Sequence, residues 1–97
     1  MTVQNAEKTI RQTMFKFLDP KEYRVFIFGS RATGRAGKFS DYDIGIIGKK
    51  QVPLGKLSLI EEVFEESDLP IRVDVVDFFA VSKNFKKVAL SRVKQLL

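Results

Sequence analysis

Apolar residues recur at three- and four-residue spacings in three segments of the chain, a pattern that predicts three amphipathic helices. The first helix covers residues 5–18 and ends at Asp19-Pro20, because proline disfavours helical geometry in the preceding residue. The second starts near Pro53 and closes at residues 68–70, and the third starts at about Ser82, a residue suited to the N-cap. The predicted buried stripes are Ala6, Ile10, Met14, Phe17 and Leu18, then Leu57, Ile60, Val63 and Phe64, then Phe85, Val88, Ala89, Val93 and Leu97.

Three shorter segments, rich in branched and aromatic residues, predict β-strands. They cover residues 23–28, 41–47 and 71–76. Between the first two strands, residues 29–40 hold three glycines among Arg, Lys, Ser and Thr, which favours a loop. The predicted order is helix, strand, strand, helix, strand, helix. This order predicts an α+β fold in which a small sheet is covered by helices.

The composition is typical of one globular domain. Apolar residues make up 44% and charged residues 30% of the 97 residues, which suffice for one hydrophobic core but not for a catalytic domain plus a separate substrate domain. We therefore predict a single domain over residues 1–97. No apolar run approaches the roughly 20 residues of a membrane-spanning helix. Met1 leads into a polar segment, so the sequence predicts a cytoplasmic protein that makes no membrane contact.

The absence of two residue types narrows the chemistry. The chain has no Cys and no His, which excludes thiol nucleophiles, disulfides, imidazole bases and zinc sites built from these ligands. Catalysis must then depend on carboxylates, whose oxygen atoms select hard ions such as magnesium or manganese. The formal charge of +5 favours anionic partners such as nucleotides, RNA or an acidic protein, or else reflects a mildly basic solvated surface.

Three aspartates stand in or beside the predicted strands. Asp41 and Asp43 are two residues apart, so a strand places both on one face, where their repulsion favours a bound cation. Solvent-facing acidic alternation is the alternative for this pair. Asp74 lies in a strand made otherwise of Ile, Val and Arg72. It is either a third ligand or an edge-strand carboxylate paired with Arg72, because charged groups are rarely buried without a partner.

A glycine–serine pair follows the first predicted strand. Gly29 would let the backbone approach a ligand closely, and Ser30 offers an N–H and a hydroxyl to a phosphate oxygen. An ordinary turn is the alternative. Arg31, Arg35 and Lys38 lie in or beside the same loop, where they either add charged contacts to a phosphate or remain solvated.

Together these segments resemble the signature of the DNA polymerase β-type nucleotidyltransferases: a Gly-Ser loop, an Asp-x-Asp pair after ten residues, and a third carboxylate on a later strand. Phe26-Ile27-Phe28-Gly29-Ser30-Arg31, Ser40-Asp41-Tyr42-Asp43-Ile44-Gly45-Ile46 and Arg72-Val73-Asp74-Val75-Val76-Asp77 resemble the minimal prokaryotic branch of that superfamily. The resemblance covers nearly the whole chain and implies a palm-like core with a small mixed sheet. In that branch the catalytic domain is commonly encoded beside a small all-helical protein of the HEPN type, and characterised pairs behave as toxin–antitoxin modules.

The resemblance also implies roles for individual residues. Asp41 and Asp43 would bind two magnesium or manganese ions that bridge the triphosphate of ATP or another nucleotide. Asp74 would complete the second metal site and help to activate the attacking hydroxyl. The implied nucleotide-binding residues are Gly29, Ser30, Arg31 and Lys38.

The predicted function is metal-dependent transfer of a nucleoside monophosphate, AMP from ATP, to a hydroxyl on a protein or RNA. The chain would be the antitoxin-like half of a two-protein module, inactive without the partner if that partner supplies the acceptor. A second interpretation is a non-catalytic antitoxin or binding subunit that covers a helical partner. A basic RNA-binding domain is disfavoured, because the sequence has no aromatic and basic stacking motif of the common RNA modules.

Several neighbouring residues receive structural predictions. Ser40 should form a local bond from its side chain to the backbone, and Asp77 should serve a turn or cap rather than a metal. Phe78 and Phe79 are adjacent, so both cannot easily enter a small core. An exposed apolar surface for a HEPN-type partner or a second copy is predicted around these two aromatics and the last helix, whose Leu90 and Leu96 fall outside its main stripe.

Overall fold

A four-stranded sheet in the order β3-β2-β1-β4 organises the structure, a computed structural model that describes residues 3–96, with side chains from residue 5 onward. Strand β2 runs antiparallel to β1 and parallel to β3, and β4 pairs antiparallel with β1, so the sheet is mixed. The elements are α1 (Val3–Phe17), β1 (Tyr23–Phe28), α2 (Ser30–Thr33), β2 (Tyr42–Gly48), α3 (Leu54–Glu65), β3 (Val73–Asp77), α4 (Lys83–Leu90) and β4 (Lys94–Gln95). The predicted fold class is confirmed, and α2 and β4 are additions to the predicted order.

Two apolar clusters lie on opposite faces of the sheet. On one face, α1 and α3 cover Val25 and Ile27 of β1 and the inward residues of β2. On the other face, Phe26, Phe28 and Phe78 form an aromatic cluster on which α4 packs. The ring centroids of Phe26 and Phe28 each lie 5.1 Å from that of Phe78 in edge-to-face contacts. The period-2 alternation of the strands therefore sends every second residue to a different core.

The C-terminal segment departs from the predicted long helix. Helix α4 ends at Leu90, and Lys94 and Gln95 pair with Ile27 and Phe26 of β1. The carbonyl of Val88, in the last turn, accepts from both the hydroxyl (2.7 Å) and the backbone N–H (3.3 Å) of Ser91. Pairing with the open edge of β1 outweighs the helical pattern here, because tertiary contacts override local propensity.

The apolar stripe predicted for this last helix is wrong in part. Ala89 and Val93 pack on the aromatic cluster. The ring of Phe85 lies 5.6 Å from that of Phe78, centroid to centroid, yet Phe85 remains 44% exposed. Val88 is 75% exposed and does not join the core. Leu96, predicted to lie outside the buried stripe, is buried in the core instead. Leu97 lies outside the described residues.

The adjacent aromatics after β3 separate as expected. Phe78 is 1% exposed and belongs to the aromatic cluster, so its predicted place on a partner surface is wrong. Phe79 is 54% exposed. The exposed apolar side chains of this region are thus Phe79, Phe85 and Val88, which we call the α4 patch.

Asp77 ties the end of β3 to the start of α3. Its Oδ2 accepts from the backbone N–H of Val52 (2.8 Å), and its Oδ1 accepts from that of Phe79 (3.0 Å). These bonds give Asp77 the predicted turn role.

Replacing Asp77 by Ala is expected to lower the free energy of unfolding by about 1–3 kcal/mol, because two backbone donors lose their acceptor. Magnesium-dependent nucleotide binding should remain in the folded fraction. Urea unfolding at neutral pH measures the first effect, and Asp77→Asn, which keeps one acceptor oxygen, should lose less. Unchanged stability in the alanine variant would contradict the structural role.

Candidate active site

The three predicted carboxylates lie near one end of the parallel pair β2 and β3. Asp43 stands opposite Asp74 in the strand register, so the two side chains share a face of the sheet. Asp41 precedes Asp43 by two residues and lies just before β2. Asp41 is exposed, whereas Asp43 and Asp74 are half-buried. The sequence predicted the pair on β2, and the register of β3 brings in the third carboxylate.

Burial and like charge act together on Asp43. Burial raises its pKa above the ordinary value of 3.8, and the neighbouring charges of Asp74 and Asp41 raise this pKa further. A cation placed among the three would lower the cost of ionising Asp43. An all-oxygen donor set is also what magnesium and manganese prefer. The residues present therefore fit a hard divalent cation.

Asp74 also forms the ion pair with Arg72 that was the alternative to a metal-binding role. Its Oδ1 lies 3.0 Å from Nε of Arg72, in a largely exposed ion pair. Across residues 5–96, the side chains as they stand do not bring three carboxylates around a single point. Because exposed pairs of this kind contribute about 0–1 kcal/mol, a bound cation could displace Arg72 at small cost.

Gly29 lies directly against Asp43. Its backbone has a φ of 73°, in the left-handed region, and a Cβ placed there would overlap Oδ2 of Asp43. The carbonyl of Gly29 accepts from the N–H groups of Ala32 (3.0 Å) and Thr33 (3.2 Å), which starts the short helix α2 at Ser30. Gly29 therefore brings the Gly-Ser pair beside the acidic residues, as its predicted role requires.

Arg31 is engaged with the loop that leads into β2. Its Nε and Nη2 donate to the carbonyl of Ser40 (3.2 and 2.8 Å), and Nη2 also donates to the carbonyl of Lys38 (3.3 Å). The guanidinium carbon lies 4.4 Å from the ring centroid of Tyr42. Ser40 Oγ accepts from the N–H of Gly37 (2.8 Å), the kind of local bond predicted for this serine. Arg31 thus fixes the backbone that precedes Asp41 and contacts the ring of Tyr42, which follows it. The sequence did not indicate this positioning role.

Tyr42 anchors the acidic strand from the opposite face. Its side chain is fully buried, and its hydroxyl lies 3.2 Å from Oε2 of Glu7 on α1. Burial, followed by the negative charge of Glu7, raises the pKa of Tyr42. Glu7 also pairs with Lys94 of β4 (2.6 Å). This network was missed by the sequence analysis, although Tyr42 occupies the inward position between the two aspartates.

An open groove of about 880 Å³ borders the acidic residues and continues along β3. The walls are formed by α3 on one side and by aromatic residues on the other. Its lining residues are Phe28, Asp43, Glu61, Phe64, Glu65, Ser67, Leu69, Pro70, Ile71, Arg72, Val73, Asp74, Val75, Val76 and Phe85.

The predicted nucleotide-binding residue Lys38 is exposed on the loop, with its ammonium nitrogen 5.6 Å from the ring centroid of Phe39.

This arrangement of strands, acidic residues and glycine agrees with a known family. A model described as "Nucleotidyltransferase domain" matches residues 8–96. The chain belongs to the nucleotidyltransferase domain family. It is also 36% identical over 88 residues to a protein of Haemophilus influenzae named probable protein adenylyltransferase MntA, covering 91% of this chain and 76% of that protein. The resemblance seen in the sequence is thereby confirmed, and this chain is a nucleotidyltransferase.

Solved structures show the same fold. The MntA–HpeT toxin–antitoxin complex, in a mutant form, aligns with a TM-score of 0.73 at 22% identity over 94% of this chain and 72% of that one. A toxin–antitoxin complex with AMP-PNP gives 0.67 at 24% identity over 90% and 72%. A tri-AMPylated HEPN toxin from Shewanella oneidensis in complex with MNT antitoxin gives 0.61 at 21% identity over 94% and 71%.

In this nucleotidyltransferase, Arg31→Lys is expected to lower kcat for nucleotide transfer by about tenfold, because one ammonium cannot replace the paired bonds to Ser40. The KM for ATP should change little if Arg31 acts through the position of Asp41. Arg35→Lys, an exposed substitution in the same loop, is the matched control. A rise confined to the KM for ATP would instead identify the predicted direct contact of Arg31 with nucleotide.

Proposed function

We propose that this nucleotidyltransferase transfers AMP from ATP to a hydroxyl group of a protein. The observation that carries the proposal is the pairing of Asp43 with Asp74 across β2 and β3, with Gly29 against Asp43 and Asp41 two residues away. The choice of AMP and of a protein acceptor is supported by the relative from Haemophilus influenzae, which is named a probable protein adenylyltransferase.

The reaction is a displacement at phosphorus. The acceptor oxygen forms a bond to the α-phosphorus, the bond from that phosphorus to the leaving pyrophosphate breaks, and the hydroxyl proton passes to Asp74 or to water. Asp41, Asp43 and Asp74 would hold divalent ions, and Gly29, Ser30 and Lys38 would contact the phosphates. Magnesium or manganese, when bound, would neutralise charge on the pyrophosphate and lower the pKa of the attacking hydroxyl. Arg31 and Tyr42 keep the strand that carries Asp41 and Asp43 in place.

We further propose a small all-helical protein of the HEPN type as the partner. The α4 patch exposes three large apolar side chains, and such surfaces often mark sites of protein association. The solved complex of an AMPylated HEPN toxin with its MNT antitoxin supports this assignment. Within residues 3–96, no helix combines the length and apolar character needed to cross a membrane.

Incubation with ATP labelled at the α-phosphate tests the transfer. The purified chain, magnesium and the HEPN-type product of a neighbouring gene should yield labelled protein, whereas ATP labelled at the γ-phosphate should yield none. Label that is lost to ribonuclease but not to protease would identify RNA as the acceptor.

The binding-subunit interpretation makes a different forecast for the same experiment. Complex formation would persist, label would be absent with every acceptor, and Asp41→Asn would leave partner binding unchanged. Light scattering of the chain alone would show whether the α4 patch is covered by a second copy instead.

A further inference from the structure

One edge of the sheet has main-chain groups available for pairing. Strand β3 is the outer strand, with β2 on its inner side. The N–H of Tyr42 donates to the carbonyl of Arg72, and the N–H of Phe78 donates to the carbonyl of Ile46, both at 2.9 Å. In a parallel ladder alternate residues bond to the same neighbour, so the even-numbered residues of this stretch face β2. The N–H and C=O groups of Val73 and Val75 therefore point to the free edge, where no described residue pairs with them.

The groove beside the acidic residues follows this edge. It is lined without interruption from Leu69 to Val76, and it lies between Glu61 and Glu65 of α3 on one side and Phe85 of α4 on the other. Its volume of about 880 Å³ is open along the strand. An added strand would run about 4.8 Å from β3, which is the normal spacing of paired strands. The groove thus has the shape and the main-chain groups that strand addition requires.

The charged side chains that line the groove favour a basic segment as the added strand. Its lining carries four acidic side chains and one basic one, in a chain whose net charge is +5. Glu61 and Glu65 lie on α3, whereas the carboxylates that metal ions would neutralise lie on or beside β2 and β3. Pairing of two copies through β3 would bring two acidic walls together, which repulsion opposes. A segment with basic side chains instead complements the acidic side chains that line the groove.

We propose that the acceptor binds as an extended, basic segment that pairs with the free edge of β3 and presents its hydroxyl beside Asp74. This inference rests on the proposed function and specifies its substrate class. If the segment adds antiparallel to β3, the residue opposite Asp74 forms a non-hydrogen-bonded pair with it. The side chains of such a pair approach closely, with about 5 Å between their Cβ atoms. Its hydroxyl would lie on the face shared with Asp43. The hydroxyl oxygen then bonds to the α-phosphorus of ATP, pyrophosphate leaves, and the proton passes to Asp74 or water.

Direct binding can be measured with a defined probe. We would use a synthetic peptide of alternating lysine and valine with a central tyrosine, and a control of the same sequence with alternate backbone nitrogens methylated. The first peptide should slow hydrogen exchange at the amides of Val73 and Val75 and leave those of Asp74 and Val76 unchanged, because these already bond to β2. The methylated peptide should have no effect, since it cannot complete a ladder.

Two sets of variants test separately the main-chain pairing at the edge of β3 and the contribution of Glu61 and Glu65. Glu61→Lys with Glu65→Lys should raise the Kd for the peptide by about tenfold. Glu62→Lys with Glu66→Lys makes the same change of charge on α3 and at its C-cap, outside the groove, and should leave the Kd nearly unchanged. Val75→Pro removes one outward N–H and should weaken binding by about five- to tenfold, whereas Val75→Thr keeps it and should not. Thermal melting with magnesium and ATP should show the same ligand-induced shift in the glutamate variants as in the wild type.

The outcomes distinguish the inference from the proposed function. Protection of Val73 and Val75 together with transfer of label to the tyrosine supports both, and protection without transfer supports the docking edge but contradicts the transfer. Transfer to protein with no protection, or equal binding by both glutamate double variants, overturns the inference alone. Concentration-dependent protection without peptide would also overturn it, because a second copy would then cover the edge.

Discussion

Replacing Asp41 and Asp43 together by Asn is expected to abolish magnesium-dependent binding of ATP and to reduce nucleotide transfer by at least about 10³-fold, the scale of losing a major electrostatic contribution. Asn keeps the size of the side chain and removes the negative charge that a divalent ion requires. The fold should remain intact or become slightly more stable. Removal of the mutual repulsion among Asp41, Asp43 and Asp74 is the reason, and it is the same repulsion that raises the pKa of Asp43.

Thermal melting with and without magnesium and ATP provides the measurement. Because folding raises the pKa of Asp43, this group favours the folded state fully below its unfolded pKa of 3.8. That contribution is lost as the pH rises through the folded pKa. The stability advantage of the double variant in metal-free buffer should therefore shrink as the pH is lowered. Glu62→Gln with Glu66→Gln removes two charges elsewhere, and an equal ligand-induced shift in the Asp41 and Asp43 double variant and this control would contradict the metal-binding role.

Gly29→Ala is expected to have the second-largest effect. The new methyl group would occupy the position of Asp43 Oδ2, and the left-handed φ of 73° disfavours any residue with a Cβ. The backbone or the carboxylate must move. A displacement of about 1 Å at reacting groups can cost about 10²-fold in rate. We expect that loss in kcat/KM, with a decrease in the free energy of unfolding of more than about 1–2 kcal/mol.

Gly34→Ala is the matched control for this substitution. Gly34 has nearly the same φ of 78°, but a Cβ there would meet nothing within 4 Å. This variant should lose only the backbone contribution to stability, about 1–2 kcal/mol, and should keep its activity in the folded fraction. The difference between the two alanine variants isolates the contact between Gly29 and Asp43. Equal activity losses in both would show that the contact has no part in the site.

The local patterns that the sequence predicted well are those with one dominant physical cause. The strand at Tyr23–Phe28 has the predicted bounds, because a run of aromatic and branched residues closed by Gly29 has few alternatives. The same reasoning placed Asp43 in β2, although Asp41, also predicted in this strand, lies just before it. For Asp77, the turn role could be predicted because strand alternation separated it from Asp74.

Where local signals competed, the prediction failed. The segment after Ser82 has a helical period, yet only Lys83–Leu90 is helical and Lys94–Gln95 joins the sheet. Within Gly29 to Ser40, the short helix α2 depends on the carbonyl of Gly29 accepting two N–H groups. This helix is too short to show an apolar period, and Arg31 further ties it to the carbonyl of Ser40, so the local pattern does not specify it.

The residue types available for chemistry, the strands that carry them and the resemblance to nucleotidyltransferases could all be read from the amino-acid sequence. The position of Asp74 opposite Asp43 became evident only in the folded chain, since the register between β2 and β3 involves residues some thirty positions apart. The contact of Arg31 with Ser40 and the open edge of β3 likewise follow from the tertiary structure. These features depend on which surfaces pack together. The apolar pattern of a single segment predicts that the segment will be buried, but it does not predict which element it will pack against.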